Sequence, residues 1–336
     1  MFCFQLFVAR ALLLAYDNLL GFNGAPEVET RTIDEIYEAA VVEGGDEAMQ
    51  QDGLKAAFEA RFPKMTLNLT VDLSKYQDGD IDHQLTLHDY PRWDQEGALL
   101  HYQPLDFYKL YPAFRDIRGA WHATAVYPWT FTWNMDRVAN GPMEFTDFLK
   151  PEFKDTLVLT YPTDDDASLY AFDLILQEFG IEWFDALLTQ NPHWVRGTQT
   201  AATLMSSPNS TAAATFTSIV GLSPSAPLNI SIPTKGHFNT WPQRAAILKD
   251  APHPEGAKLL HNFILSKEYQ RNTGVWSVRR DVPAPAGFPE LIDIPSTDPT
   301  EFQRFLADRA RVERSRFFFE SKLGTPQGPS SVNNGI

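Results

Sequence analysis

The sequence APHPEGAKLLHNFILSKEYQ (residues 251–270) predicts a helix that begins at its second proline, Pro254. Proline favours the first turn of a helix because its missing N–H is not needed there, and the glutamate that follows is attracted to the positive end of the helix dipole. Leu260, Phe263 and Ile264 come next at helical spacing and form one apolar stripe. This stretch therefore predicts a helix that packs one face against a core.

Toward the amino terminus, the pattern alternates between helix and strand. Thr32 and Glu35 form a capping-box pair at the start of an apolar stripe, which predicts a helix over residues 33–41. A second predicted helix ends before Pro63, and the strict alternation over residues 65–71 predicts a strand. A helix followed directly by a strand is typical of α/β folds.

The middle and the end of the chain repeat this pattern. Residues 197–235 are rich in Ser, Thr, Ala and Pro and poor in charge, which predicts short strands and loops rather than a core helix. The other predicted elements are a long β segment over residues 119–134 interrupted at Pro128, a strand over 156–161, a helix closing at Gly180, a helix over 181–190 and a last helix over about 300–323.

Charge and cysteine content exclude several classes of protein. Lys and Arg number 28 against 43 Asp and Glu, a net charge of −15. This disfavours nucleic acid or an anionic membrane as partner, because both are bound through basic patches. Cys3 is the single cysteine, so neither an intrachain disulfide nor a cysteine-based metal site can form. No run approaches the roughly 18 apolar residues of a membrane span, and no common hydrolase, nucleotide-binding or zinc-protease motif is found.

The amino terminus and three acceptor sequences favour a secreted protein. Residues 1–27 are interpreted as a degraded signal-like segment, because their apolar run is interrupted by Arg10 and no basic residue precedes it. A packed amino-terminal helix is the alternative. Asn68, Asn209 and Asn229 each begin an Asn-X-Ser/Thr sequence for N-glycosylation. Residues 325–336 are predicted to be a tail.

Two charge clusters have a functional and a structural interpretation. Asp164, Asp165 and Asp166 would bind a hard cation or an amine at the carboxyl end of a strand, or would cap the helix that follows. The capping interpretation is favoured. The arginines over residues 309–316 alternate with acidic residues, which indicates a solvated helix face rather than an anion site.

One β segment is crowded with aromatic residues. Trp121, Tyr127, Trp129 and Trp133 could form the wall of a ligand cleft through stacking or cation–π contacts, or could pack in the core. Core packing is expected for at least two of the four. The polar and aromatic residues 237–242 either line a cleft or form a surface turn, and the sequence does not separate these alternatives.

Residues 251–270 resemble a sequence block of extracellular solute-binding proteins of the ferric-iron/ABC-transporter type. Three further stretches are similar to blocks of that family: residues 126–136, 144–154 and 278–282. The resemblance covers roughly residues 28–323 and is strongest to a fungal secreted branch. It implies an α/β, two-lobed type II periplasmic-binding-protein-like fold. It further implies a small solute or metal ion held between the lobes, no enzymatic activity and no cofactor.

The resemblance also implies domain boundaries. It places the first α/β lobe at residues 28–127 and 233–290, the second at 128–232 and a carboxyl-terminal helical segment at 291–324. The protein is expected to be a monomer.

Two departures from the family pattern fall in the first lobe. After Gly45, and again after Leu85, relatives have a strand that this sequence lacks. We therefore expect two deletions, an incomplete first lobe and reduced ligand binding. The adjacent tyrosine pair of the ferric members is also absent, because no two tyrosines are neighbours in this chain. Iron in particular is therefore disfavoured as the ligand.

Ligand contacts are expected from the second lobe and from the hinge, the two strands that the resemblance implies between the lobes, because the first lobe has lost its contributing loops. The acidic pair Asp164 and Asp165 favours a small cationic or polyhydroxyl ligand, a metal ion included. Two alternatives remain: an enzyme on the same scaffold, similar to fungal pyrimidine-synthesising proteins, and a secreted structural or interaction protein. The enzyme would need a histidine within hydrogen-bond reach of a second titratable group in the cleft. The predicted ligand-binding residues are Tyr127, Trp129, Asp164, Asp165, Thr198, Asn239 and Trp241.

Overall fold

The structure is a computed structural model that describes residues 25–43, 46–47, 52–67, 89–217 and 221–328. Helices in these ranges are α1 (Ile33–Glu43), α2 (Asp52–Arg61), α3 (Asp89–Gln95), α4 (Asp166–Thr189), α5 (Thr198–Ser206), α6 (Pro254–Ile264), α7 (Lys267–Arg271), α8 (Glu301–Ala307) and α9 (Arg309–Leu323). Strands are β1 (Glu27–Val28), β2 (Asp46–Glu47), β3 (Thr66–Leu67), β4 (Tyr102–Gln103), β5 (His122–Pro128), β6 (Thr130–Asn134), β7 (Val158–Thr160), β8 (His193–Val195), β9 (Ala214–Thr217), β10 (Leu228–Ser231) and β11 (Thr240–Ala245).

The strands form small sheets. β6 lies between β9 and β10 in an antiparallel sheet. The pairs β1–β4, β2–β3 and β7–β8 are parallel, and β5 pairs with β11. Mixed helices and parallel strand pairs confirm the predicted α/β class.

The chain divides into two compact units. Among the described residues, unit 1 comprises those within 1–124, 244–270 and 279–281, and unit 2 comprises those within 125–243, 271–278 and 282–336. The chain passes from unit 1 to unit 2 within β5 and returns within β11. The lobe boundaries implied by the resemblance stay a prediction.

Unit 1 has an apolar core between α1, α2, β3 and α6. The predicted capping box begins α1: the Thr32 N–H donates to Glu35 Oε2 at 2.7 Å, and the Glu35 N–H donates to Thr32 Oγ1 at 3.3 Å. Pro254 occupies the first turn of α6, as predicted. The apolar stripes of these elements are buried together, through Ile36, Ala40, Leu54, Phe58, Phe62, Met65, Leu67, Leu259, Leu260, Phe263 and Ile264.

Unit 1 also buries a polar network around Glu29, whose side chain is 3% exposed. Its Oε2 accepts hydrogen bonds from the Tyr102 hydroxyl at 2.7 Å and from Arg31 Nη2 at 2.8 Å. Asn262 Nδ2 donates to the Tyr102 oxygen at 2.6 Å. Burial alone would raise the pKa of Glu29, but the hydrogen bonds from Arg31 and Tyr102 outweigh it and lower this pKa to about 2. The carboxylate is therefore charged and fully engaged at neutral pH.

A pair of buried histidines lies in the same unit. His122 Nε2 and His261 Nδ1 are 2.7 Å apart, and His122 Nδ1 is 3.0 Å from the Ala123 carbonyl oxygen. Burial lowers the pKa of His122 to about 4. His122 is therefore neutral at physiological pH.

Unit 2 is built around aromatic side chains. Phe216 of β9 contacts Phe145 and Phe148 edge-on, with centroid distances of 5.8 and 5.1 Å. Phe172 of α4 lies 5.2 Å from Phe216 and 5.9 Å from Phe184. Trp129 and Trp133 are buried as well, which confirms the expected core packing of two of the four aromatic residues in the β segment.

Helix α5 corrects the prediction of strands and loops over residues 197–235. It spans Thr198–Ser206, and Ala201, Ala202 and Met205 are its buried face. Ala201 and Met205 pack in one cluster with Val158 of β7 and Val195 of β8. The prediction was wrong because the apolar residues at helical spacing are interspersed with threonines and serines, a composition typical of loops. β9 and β10 confirm the strands expected later in this region.

Two helices differ in detail from the prediction. The helices predicted on either side of Gly180 form one element, α4, but the break expected at Gly180 is present inside it. This residue has φ 77° and ψ 177°, a backbone conformation that glycine adopts without steric cost. The last predicted helix is two helices, α8 and α9, that meet at Asp308. The arginines of α9 are not all solvated, because Arg311 pairs with Asp173 and Arg316 pairs with Asp166 at 2.6 Å.

Several predictions lie outside the described residues. They are the signal-like character of residues 1–24, the Asn68 acceptor, the last eight residues of the tail and the second proposed deletion, after Leu85. At the first proposed deletion, the part that is described is the strand β2, which pairs with β3 in parallel.

Candidate functional site

The amino-terminal end of α4 brings together the three consecutive aspartates. Asp165 caps the helix: its Oδ1 accepts the N–H of Ala167 at 2.8 Å and that of Ser168 at 3.0 Å. Asp164 instead holds the turn before α5, because its two oxygens accept from Arg196 Nε and from the Gly197 N–H, both at 2.8 Å. The capping interpretation is confirmed for Asp165.

Asp165 is electrostatically perturbed at this position. Desolvation by the surrounding protein, with the neighbouring Asp166 carboxylate, raises its pKa to about 6, even though the side chain keeps contact with solvent. The hydrogen bonds that it accepts from the N–H groups of Ser168 and Ala167 oppose this rise in pKa.

Asn239 joins the start of α4 to the aromatic part of the site. It is 1% exposed, and its Nδ2 donates to the carbonyl oxygen of Ala167 at 3.3 Å. Its backbone carbonyl oxygen accepts the Trp129 N–H at 2.8 Å. Asn239 thus contacts Ala167 through its side chain and Trp129 through its backbone.

Three buried polar atoms in this neighbourhood have no hydrogen-bond partner among the described residues. They are Trp129 Nε1, Ser168 Oγ and Asn239 Oδ1, and all three residues are at most 1% exposed. An unsatisfied buried polar group costs about 1–3 kcal/mol, so native structures rarely keep several together without a reason. A bound solute or an ordered water would satisfy these atoms.

The aromatic members of the predicted site contact one another through Trp241. Tyr127 and Trp241 are nearly parallel at 27° with centroids 6.0 Å apart, and Trp129 lies 6.4 Å from Trp241. Phe302 of α8 contacts Trp241 edge-on, with centroids 6.0 Å apart. Tyr127 is half-buried, whereas the two tryptophans are buried.

All seven predicted ligand-binding residues lie in unit 2. Thr198 is the first residue of α5 and directly follows Gly197, whose N–H donates a hydrogen bond to Asp164. Asp165 bonds to Ala167, which bonds to Asn239, and Asn239 bonds to Trp129, the first of the three aromatic residues in contact. Their contact with a ligand stays a prediction.

Sequence reasoning missed Ser168. The residue follows the cap and falls at positions i, i+3, i+4 and i+7 with Ala171, Phe172 and Ile175, all buried. A lone hydroxyl on an apolar helical stripe was the signal that could have identified it.

Several described histidines lie within hydrogen-bond distance of a second titratable group, among them His122 and His261 of unit 1. Within the ranges that the structure describes, no three His, Cys, Asp or Glu side chains are grouped to hold a metal ion. His237 Nδ1 is 3.3 Å from Glu178 Oε2 on the surface of unit 2. His101 Nε2 is 2.7 Å from Asp94 Oδ1 in unit 1, and Arg118 pairs with the same aspartate. None of these pairs includes a residue of the site at α4.

Comparison with known proteins assigns the chain to a family. Residues 97–285, more than half of the chain, match the family described as bacterial extracellular solute-binding protein. The chain belongs to this family. No match is found among the curated proteins.

Solved structures of periplasmic binding proteins share the fold of this solute-binding protein. The periplasmic binding protein P5PA is 17% identical with a TM-score of 0.62. AfuA from Actinobacillus pleuropneumoniae, with exogenous fructose-6-phosphate bound, is 16% identical with a TM-score of 0.61. Iron-bound HitA from Pseudomonas aeruginosa is 16% identical with a TM-score of 0.54. Each comparison covers 83% of this chain and 98% of the other.

These likenesses confirm the two-lobed periplasmic-binding-protein-like fold that the resemblance implied. The family consists of solute-binding proteins, and the comparisons give no support to the enzyme alternative. None of the helices in the described part of the chain is long and apolar enough to cross a membrane.

Proposed function

We propose that this solute-binding protein binds a small polyhydroxyl solute, and that the start of α4 contributes the contacts. The observation that carries this proposal is the set of three unpartnered buried atoms on Trp129, Ser168 and Asn239. All three belong to unit 2, where every predicted ligand-binding residue also lies.

The chemistry of these atoms favours hydroxyl groups as their partners. Trp129 Nε1 can only donate, Asn239 Oδ1 can only accept, and Ser168 Oγ can do both. A hydroxyl group donates and accepts at once, so a sugar or polyol can complement all three. The half-buried Tyr127, stacked on Trp241, adds an aromatic face for the apolar side of such a ring.

A cationic solute is the second candidate, and Asp165 is the residue that favours it. Its carboxylate keeps solvent contact, and a cation nearby would lower its raised pKa. The other two aspartates argue against a cation, because Asp164 is engaged by Arg196 and Asp166 is paired with Arg316. The polyhydroxyl solute therefore agrees better with the site.

We further propose a secreted, monomeric protein of the fungal branch, with a truncated first lobe and reduced binding. The very short strands of unit 1 support truncation, since β1, β2, β3 and β4 have two residues each within the described ranges. The three acceptor sequences support secretion.

A thermal-unfolding panel tests the proposed ligand class. The full chain is heated with glucose, fructose or myo-inositol, and separately with spermidine or Fe(III). A true ligand at 100 times its Kd should stabilise by about 2.7 kcal/mol, a shift of several degrees. A shift with a neutral polyol is expected. A shift with spermidine or Fe(III) alone would contradict the polyhydroxyl proposal, and no shift at all would leave a fold without binding function.

A further inference from the structure

Asn209 lies in an exposed turn that follows α5. The Ser210 N–H donates to the Ser207 carbonyl oxygen at 3.2 Å, which places Pro208 and Asn209 at the two central positions of a β-turn. The Asn209 and Thr211 side chains are both exposed. Within the described chain, no group hydrogen-bonds the Asn209 amide, so the acceptor nitrogen faces solvent.

Asn229, the other described acceptor, has a different environment. It lies in β10 opposite Trp133 and is half-buried. Its side-chain oxygen accepts the N–H of Ile230 at 2.9 Å. The hydroxyl of its acceptor sequence belongs to Ser231, which is 9% exposed and donates to the Pro142 carbonyl oxygen. A glycan here would have to displace this packing.

The surface beside Asn209 offers room for a neutral sugar. An open groove of about 580 Å³ lies along α5, and Ser206 and Ser207, two of its lining residues, lead directly into the Asn209 turn. Its other polar lining residues are Gln199, Thr203, Ser223 and Ser225, and no charged residue is among the lining. Hydroxyl and amide groups can hydrogen-bond sugar hydroxyls without attracting ions.

We propose that Asn209 is an N-glycan acceptor of this protein and that Asn229 is not. In the reaction, Asn209 Nδ2 forms a bond to the anomeric carbon of a lipid-linked oligosaccharyl pyrophosphate. The bond from that carbon to the pyrophosphate oxygen breaks, the lipid pyrophosphate leaves with the electron pair, and one amide proton is released. This modification is independent of the ligand site at α4.

The test is translation of the full chain, with an appended secretory signal, into eukaryotic microsomes, so that the readout does not depend on secretion. Asn68→Gln is present throughout, so that only two acceptors are counted. Peptide-N-glycosidase then converts each glycosylated asparagine to aspartate, which mass spectrometry locates. We expect one glycan, retained in Asn229→Gln and lost in both Asn209→Gln and Thr211→Ala. A glycan on Asn229, or an unmodified Asn209 in a translocated chain, would overturn the proposal.

Discussion

The network around Glu29 in unit 1 and the start of α4 in unit 2 bury polar side chains in opposite ways. In unit 1, Glu29, Tyr102 and Asn262 satisfy one another through short hydrogen bonds. In unit 2, Ser168 and Asn239 are equally buried, but each keeps an atom without a partner. A closed network, in which every polar group has a partner, stabilises the fold. An open network, in which some groups lack partners, lowers the stability until a ligand supplies the missing hydrogen bonds. This difference supports a structural role for the first region and the ligand-binding role that we propose for the second.

Glu29→Gln should produce the largest loss of stability. The pKa of Glu29 is about 2 in the folded protein against an ordinary value of 4.5 for the unfolded chain, so its charged form contributes about 3 kcal/mol at pH 7. Urea unfolding at pH 7 measures this loss. Glu38→Gln, an exposed position on α1, is the matched control and should change stability by less than about 0.5 kcal/mol. A loss below about 1 kcal/mol for Glu29→Gln would contradict the closed network.

His122 should make the protein less stable in mild acid. Because burial lowers its pKa from 6.5 to about 4, the unfolded chain binds a proton on His122 between these values while the folded chain does not. The stability is complete above pH 6.5 and is lost as the pH falls toward 4, by about 2 kcal/mol between pH 7 and 5.

His122→Gln should remove that part of the pH dependence. Urea unfolding at pH 7 and pH 5 provides the comparison, with His193→Gln, an exposed histidine of β8, as control. An unchanged slope in His122→Gln would show that the buried histidine pair does not cause the acid sensitivity.

Two buried serines of unit 2, Ser231 and Ser168, allow a hydroxyl with a hydrogen-bond partner to be compared with one that has none. The Ser231 hydroxyl donates to the Pro142 carbonyl oxygen, so Ser231→Ala should cost about 1 kcal/mol. The Ser168 hydroxyl has no described partner, so Ser168→Ala should leave the free energy of unfolding unchanged or slightly raise it. Equal losses in the two variants, measured by urea unfolding, would mean that Ser168 is satisfied.

Asp165→Asn should give the smallest effect. Asparagine caps helices as well as aspartate does, so stability at pH 7 should change by less than about 0.5 kcal/mol, whereas Asp165→Ala should cost about 1 kcal/mol. If the two variants lost the same stability, the cap would not be the main structural role of Asp165.

The sequence predicted the elements whose signals are local. The capping box at Thr32, the proline that begins α6 and the cap at Asp165 depend on neighbouring residues, and all three are present. Helix α5 was missed because its stability comes from contacts with β7 and β8, which composition does not reveal.

The candidate site could be predicted only in part for the same reason. The aspartates and aromatic residues are recognisable candidates in the sequence, but Asn239 connects them through tertiary contacts: its side chain bonds to Ala167 and its backbone to Trp129. An isolated serine in a helix carries no local sign that its hydroxyl will be left without a partner.

Calorimetric titration with glucose, fructose and myo-inositol tests the central claim most directly. It is performed on the full chain, on Ser168→Ala and on Ser231→Ala at pH 7. We predict saturable one-to-one binding of at least one polyol by the full chain, unchanged affinity in Ser231→Ala and roughly tenfold weaker binding in Ser168→Ala, the equivalent of about 1.4 kcal/mol. Equal affinity in all three proteins, or no saturable binding of any of these polyols, would contradict the assignment of the start of α4 to ligand recognition.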